Sequence, residues 1–258
     1  MLEKLPLVNG EQKKTAMILE AIGIGRKVAD RWLFEDLSLS ISAGRQLALI
    51  GPSGSGKTLL LRTLAMLDPI DAGEIRWRGK LVTGDEIPNF RSRIMFLPQR
   101  PALPEGTVEE ILRQPFSLRV HGAKSFHRER IIALLISLGR TEAFLQKQQR
   151  NLSGGEAQLV ALLRAIQLDP DVLLLDEPSA SLDPEATEMV TSLITTWFEL
   201  LPEERATVWI THDHEQARRI TCSVLRIHDG RLHDAAPEKE MFRQGERSRS
   251  SGSSLAGH

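Results

Sequence analysis

Between Gly51 and Thr58 the chain reads Gly51-Pro52-Ser53-Gly54-Ser55-Gly56-Lys57-Thr58, which fits the spacing G-x-x-x-x-G-K-[ST]. Glycines at those positions let successive backbone N–H groups turn inward toward phosphate oxygens, and the helix start that follows adds its positive end. In such a loop Lys57 reaches the β- and γ-phosphates and the Thr58 hydroxyl ligates Mg²⁺. The run follows a short apolar strand pattern, Gln46–Ile50, and precedes an apolar helical stretch over 57–67. That strand-to-helix context is the one the motif requires. The chemistry implied is capture of the phosphate tail of a nucleotide together with its metal.

A second constellation lies in Val172-Leu173-Leu174-Leu175-Asp176-Glu177-Pro178. Four apolar residues make a buried strand, and two carboxylates emerge at its C-terminal end, where ligands bind in open α/β sheets. Asp176 is placed to hold Mg²⁺, directly or through water, and Glu177 to polarise an attacking water as general base. Adjacent carboxylates oppose each other's ionisation, but a divalent cation reverses that balance. A third element is Leu152-Ser153-Gly154-Gly155-Glu156. A serine and two glycines at a helix start make a further anion site from a hydroxyl, free N–H groups and the helix dipole.

The Leu152–Glu156 run closely resembles the signature of ABC (ATP-binding cassette) proteins, and it stands shortly before the carboxylate strand, as in that family. The resemblance covers about residues 16–233. It implies ATP as the bound nucleotide, Mg²⁺ as its metal, and a head-to-tail homodimer in which Ser153, Gly154 and Gly155 complete the pocket of the other copy. Three more positions match the family's order. Gln99, after the strand pattern ending at Leu97, resembles the glutamine loop that touches Mg²⁺ or water and links the core to a helical lobe. Asp183, in Ala180-Ser181-Leu182-Asp183, resembles the loop that reports across the dimer. His212 resembles the switch histidine that contacts the γ-phosphate.

The sequence also departs from the family. There is no tyrosine anywhere, and the segment 22–29, expected to supply an adenine-stacking ring, has no aromatic residue. Trp32 and Phe34 stand nearest; strand alternation assigns Phe34 to the core. Leu59 stands where a second hydroxyl commonly follows Thr58, so weak ATP binding by the isolated chain is expected. Leu159 replaces a frequent charged residue, and Ala180-Ser181 inverts the usual pair. None of these changes removes a hydrolytic group.

Alternating strand and helix patterns position these residues and imply a P-loop NTPase core of the α/β class with a mostly parallel sheet. Strand patterns at 16–21 and 33–41 read as an N-terminal antiparallel β subdomain, and 74–78 and 93–97 as further strands. The interval of about 100–165 shows only helical patterns and reads as an inserted α-helical lobe. Pro184–Leu200 reads as a helix, 207–211 as a strand, and 224–227 with 231–233 as a hairpin turning at Asp229-Gly230. Residues 1–15 read as an N-terminal extension, 16–245 as the ATPase domain and 246–258 as a flexible tail.

Thirty-three Lys and Arg balance 34 Asp and Glu, so no global field draws the chain to nucleic acid or an acidic membrane. No apolar run approaches the roughly 20 residues of a membrane span. The single cysteine, Cys222, makes no internal disulfide. The resemblance then implies an integral membrane transporter subunit as partner, no nucleic acid, and a place at the cytoplasmic face of the inner membrane. The alternative is a relative acting on nucleic acid or ribosomes. The interval between Thr58 and Leu152 lacks the sustained heptads of the DNA-repair type, and the chain holds one cassette where translation-type relatives hold two. The run Phe96-Leu97-Pro98-Gln99-Arg100-Pro101, with Gly106-Thr107-Val108, is similar to cassettes of iron or metal export.

Overall fold

The computed structural model describes residues 16–211 and 223–234. His212, Cys222 and the two terminal segments, 1–15 and 246–258, lie outside the described residues.

Two sheets form the frame. β1 (Met17–Val28), β2 (Arg31–Ser42), β4 (Ala72–Trp77) and β5 (Lys80–Leu81) make an antiparallel sheet in the order β2-β1-β4-β5. β3 (Gln46–Ile50), β6 (Ile94–Leu97), β7 (Val172–Asp176), β8 (Ala206–Ile210), β9 (Ser223–His228) and β10 (Arg231–Asp234) make the second, in the order β10-β9-β3-β8-β7-β6. All its pairings are parallel except β9 with β10. That hairpin turns through Asp229 and Gly230, with φ of 48° and 71°, the two positive values that match strand twist in a two-residue turn.

Helices cover both faces of the parallel sheet. α1 (Lys57–Leu64) and the antiparallel sheet pack on one face; α3 (Val108–Arg113), α4 (Arg128–Ser137), α5 (Gly154–Ile166) and α6 (Pro184–Leu200) pack on the other, and α2 (Ile87–Arg93) leads into β6. The two-residue period of β7 divides its side chains accordingly. Val172 and Leu174 enter the first core, Leu173 and Leu175 the second. Burial on both faces explains why the strand reads as an unbroken apolar run.

α1 ends three residues before the apolar pattern does. Met66 turns to φ 52°, its N–H bonding Thr63 O, and Leu67 is left exposed. Leu159 is fully buried in the second core, so an apolar residue suits a place where the family often has a charge.

A buried ionic hub joins the layers below the carboxylate strand. Asp171, 2% exposed, accepts from Trp77 Nε1 and Arg78 Nε of the antiparallel sheet, each at 3.0 Å, and from Arg93. It thereby locks both sheets to the start of β7.

Candidate active site

Because the strands run parallel, their C-terminal ends share one edge, and the motif residues meet there. β3 delivers the glycine loop, β7 the two carboxylates and β6 the glutamine, with β8 between β3 and β7.

The loop from Gly51 to Gly56 turns into α1. Gly56 has φ 91°, a conformation side-chained residues rarely adopt, and a Cβ there would also meet Leu33 Cδ2 at 3.0 Å. Leu33 of β2 thus packs on the loop, a contact that its place in the sequence did not reveal. Among the described residues, the N–H groups of Gly54, Gly56, Lys57 and Thr58 take no backbone partner, leaving an array of donors at a helix start. Pro52 and Ser53 form the outer turn, with Ser55 N bonding Pro52 O at 3.2 Å. Lys57 is buried, and its Nζ donates to Gly51 O and Pro52 O, both at 2.9 Å. Burial pushes its pKa down, against the opposing pull of Glu177 and Asp176.

Thr58 Oγ1 donates to Asp176 Oδ1 at 3.0 Å. Asp176 is buried, and burial pushes its pKa up; the Thr58 bond opposes this, the Glu177 charge adds to it and Lys57 again opposes. A hydroxyl and a buried carboxylate side by side, both hard oxygen donors, fit Mg²⁺. That ion takes one or two protein oxygens and completes its shell with phosphate oxygens and water.

Glu177 follows in a left-handed conformation, φ 47°, and its N–H bonds Ile210 O at 3.1 Å. The turn aims its side chain toward β6, where Gln99 Nε2 donates to Glu177 Oε2 at 3.1 Å. The base candidate is therefore held by a neutral amide and stays half-buried at the rim.

Ser153 N-caps α5 in a reciprocal capping box. Its Oγ accepts from Glu156 N at 3.2 Å while Glu156 Oε2 accepts from Ser153 N at 2.8 Å. Lys147 also donates to Glu156 Oε2, at 2.6 Å. Burial pushes the Glu156 carboxyl up, but the bonds from Lys147 and Ser153 outweigh it and hold the pKa below its ordinary value. The N–H groups of Gly154 and Gly155 take no backbone partner among the described residues. Gly155 is required by close approach, since a Cβ there would lie 2.5 Å from Ala186 Cβ on α6. Asp183 caps α6, accepting from Ala186 N at 2.8 Å. Among the described residues, no hydrogen bond joins Ser153, Gly154, Gly155 or Asp183 to the glycine loop. The structure brings Lys57, Thr58, Asp176, Glu177 and Gln99 together and leaves the Ser153 helix tip separate from them.

Beside Gln99 lies an apolar cleft of about 390 Å³, lined by residues of β6 and α5 and by Leu118. Periodicity did not foretell it, because it forms between the core and the helical lobe.

A protein-family model described as ABC transporter matches residues 34–180, more than half of the chain. A probable anion import ATP-binding protein of Haloferax volcanii is 34% identical, over 92% of this chain and 86% of that protein. The sulfate/thiosulfate import ATP-binding protein of Bordetella pertussis is 34% identical over 88% of this chain, which spans 64% of that longer relative. In three dimensions, a dimeric ATP-binding cassette in a post-hydrolysis state, bound to ADP and Pi, superposes with a TM-score of 0.71. It is 25% identical, over 84% of this chain and 98% of that one. These relatives lend no support to the metal-export likeness or to the nucleic-acid alternative.

Proposed function

Since the chain belongs to the ABC transporter family, we infer that it is the ATP-hydrolysing subunit that drives transport through a separately encoded membrane partner. The observation carrying this reading is the convergence of Lys57, Thr58, Asp176, Glu177 and Gln99 on one sheet edge, joined by the Thr58–Asp176 and Gln99–Glu177 bonds.

In this reading, Gly51 to Thr58 cradle the phosphates of ATP, with the Lys57 ammonium on the β- and γ-phosphates. Thr58 and Asp176, together with Gln99, would hold Mg²⁺, which would offset phosphate charge. Glu177 takes the proton of the attacking water, and Gln99 keeps that carboxylate pointed at the phosphate edge. His212, outside the described residues, supplies a further hold on the γ-phosphate. Ser153, Gly154 and Gly155 serve the site of a second copy in a head-to-tail homodimer, and Asp183 lies at that contact. The dimeric neighbour supports that arrangement.

We place the chain at the cytoplasmic face of the membrane, held there by its partner, on the likeness to ATP-binding subunits of membrane importers. The cleft beside Gln99 is the surface we assign to that partner, because Ile94 to Pro98 line it and lead directly into Gln99. We propose import as the direction and a small oxyanion as the cargo class, on the likeness to anion and sulfate/thiosulfate import subunits. Affinity purification of the tagged full chain from detergent-solubilised membranes tests the assignment. A polytopic membrane subunit should co-purify, and the complex in proteoliposomes should move sulfate or phosphate only with hydrolysable ATP. Recovery of the chain on ribosomes or DNA instead would overturn it.

A further inference from the structure

At the edge of the parallel sheet opposite the glycine loop, five cations converge on residues 168–171, just before β7. Lys124 donates to Leu168 O, Arg93 to Asp169 O and to Asp171, and Arg78 to Asp171 Oδ2 at 3.0 Å. Arg130 holds Asp169 through both terminal nitrogens, at 3.0 and 3.3 Å, and Arg205 reaches the same carboxylate at 3.3 Å. They come from separate parts of the fold. Arg78 follows β4, Arg93 ends α2, Arg205 precedes β8, and Lys124 and Arg130 belong to the helical lobe. Among the described residues, Asp169 and Asp171 are the acids that pair with these five, and exposed Glu204 adds a further negative charge beside Arg205. Positive charge therefore exceeds negative in a place partly removed from water. Lys124 has a neutral carbonyl as its partner, and burial, then the charge of Arg93, push its pKa down. Arg130 sits in the first turn of α4, where the helix dipole disfavours a cation. Like charges so placed repel more strongly than in water, and an anion among them offsets that cost. The cluster is open to one, since the Arg93 and Arg130 side chains are 30% and 40% exposed.

We propose that this cluster is a second anion site, which takes a tetrahedral dianion, free sulfate or phosphate, between Lys124, Arg93 and Arg130. Each guanidinium carries five N–H donors and the ammonium three, more than the bonds to residues 168–171 use. Oxygens directed to the corners of a tetrahedron accept from donors that arrive from core and lobe together, and charge-assisted bonds of this kind are the stronger ones. The anion ties Lys124 and Arg130 of the lobe to Arg93, the residue that opens β6, the strand leading to Gln99. It thereby stiffens the joint between lobe and sheets from the side away from ATP. The site does not depend on the reading of the transported cargo.

The test titrates sodium sulfate, then sodium phosphate, into the full chain at constant ionic strength balanced with chloride. The readout is the indole N–H resonance of Trp77 in isotope-labelled protein, because Trp77 Nε1 donates to Asp171 Oδ2 at 3.0 Å; Trp77→Phe identifies the signal. Both dianions should move it along a saturable curve, and the tighter of the two names the ligand. Lys124→Gln should weaken binding about tenfold, the scale of one lost charge-assisted partner. Lys124→Arg should bind as the parent does, and Lys124→Glu should abolish the response. The glycine loop also receives phosphate groups, so the titration is repeated with Lys57→Ala, which should leave the Trp77 curve in place. Should Lys124→Glu fail to fold, Arg130→Gln makes the same test from α4, with a loss of similar size. A Trp77 signal that chloride moves as far as sulfate does, a response that vanishes with Lys57→Ala, or a dianion affinity unchanged in Lys124→Gln and Arg130→Gln overturns the proposal.

Discussion

Gln99 Nε2 and Glu177 Oε2 meet at 3.1 Å although the residues stand 78 positions apart, because β6 and β7 are adjacent and parallel. The bond fixes one carboxylate oxygen of Glu177 at the sheet edge that also carries the glycine loop.

Glu177→Gln should retain ATP binding while lowering turnover by about a hundredfold or more, the range over which a positioned general base acts. With ATP and Mg²⁺ it should elute as a stable dimer in size-exclusion chromatography with light scattering. Undiminished hydrolysis would move the base elsewhere. Gln99→Ala, which removes the positioning bond, should reduce kcat by a smaller factor with little change in ATP affinity.

Asp176 gives a pH signature. Burial sets its folded pKa above the unfolded value. Without metal, stability therefore falls as pH rises from the ordinary carboxylate range through the raised value, and stays at the lower level above it. Asp176→Asn should erase that slope, so at about pH 7.5 without Mg²⁺ the variant should melt at or above the parent temperature. Added Mg²⁺ and ATP should raise the Tm of the parent far more than that of the variant. An equal rise in both would dissociate the metal from Asp176.

Gly155 and Ala186 form a steric pair across α5 and α6. Gly155→Ala should cost about 1–3 kcal/mol by overpacking, because the new Cβ would lie 2.5 Å from Ala186 Cβ. Ala186→Gly in the same chain should recover most of the loss, a coupling that chemical denaturation of all four members of the cycle measures. Additive losses would exclude the contact.

ATP affinity of the isolated chain should be weak. Phe34 is buried, and Trp32 lies over Gly25 with Lys27 Nζ 4.4 Å from its ring centroid. The buried Phe34 cannot serve as an adenine platform, and Trp32, though exposed, already carries Lys27 against its ring, so the stacking contact, typically worth about 1–3 kcal/mol, is weakened. Isothermal titration should give a dissociation constant above the low-micromolar range; a tighter value would show another platform.

Much of this site was legible in the sequence because its motifs join local patterns that physics constrains strongly. Gln46–Ile50 and Pro184–Leu200 are found with the bounds the pattern gives, since one is apolar on both faces and the other is capped by Asp183 and Pro184. β1 runs well past its apolar start, through Gly23 and Gly25, because bulges between Ala21 and Arg26 absorb residues that do not alternate. α2 escaped notice, being a single short helix around Pro88 with only Phe90 and Ser92 buried. The hub at Asp171 and the packing of Leu33 on Gly56 depend on contacts between distant segments, which no local pattern records.

The central claim is that each catalytic site is built from two copies. Lys57→Ala spoils the phosphate loop of its own chain, and Ser153→Arg spoils the helix tip offered to the other. Each variant alone should be inactive. Mixed in equal amounts, they should recover about a quarter of the parent ATPase rate per chain, because half of the symmetric pairs are mixed and each holds one intact site. A mixture as inactive as its components, or a Ser153→Arg chain that hydrolyses ATP at the parent rate, would contradict the account.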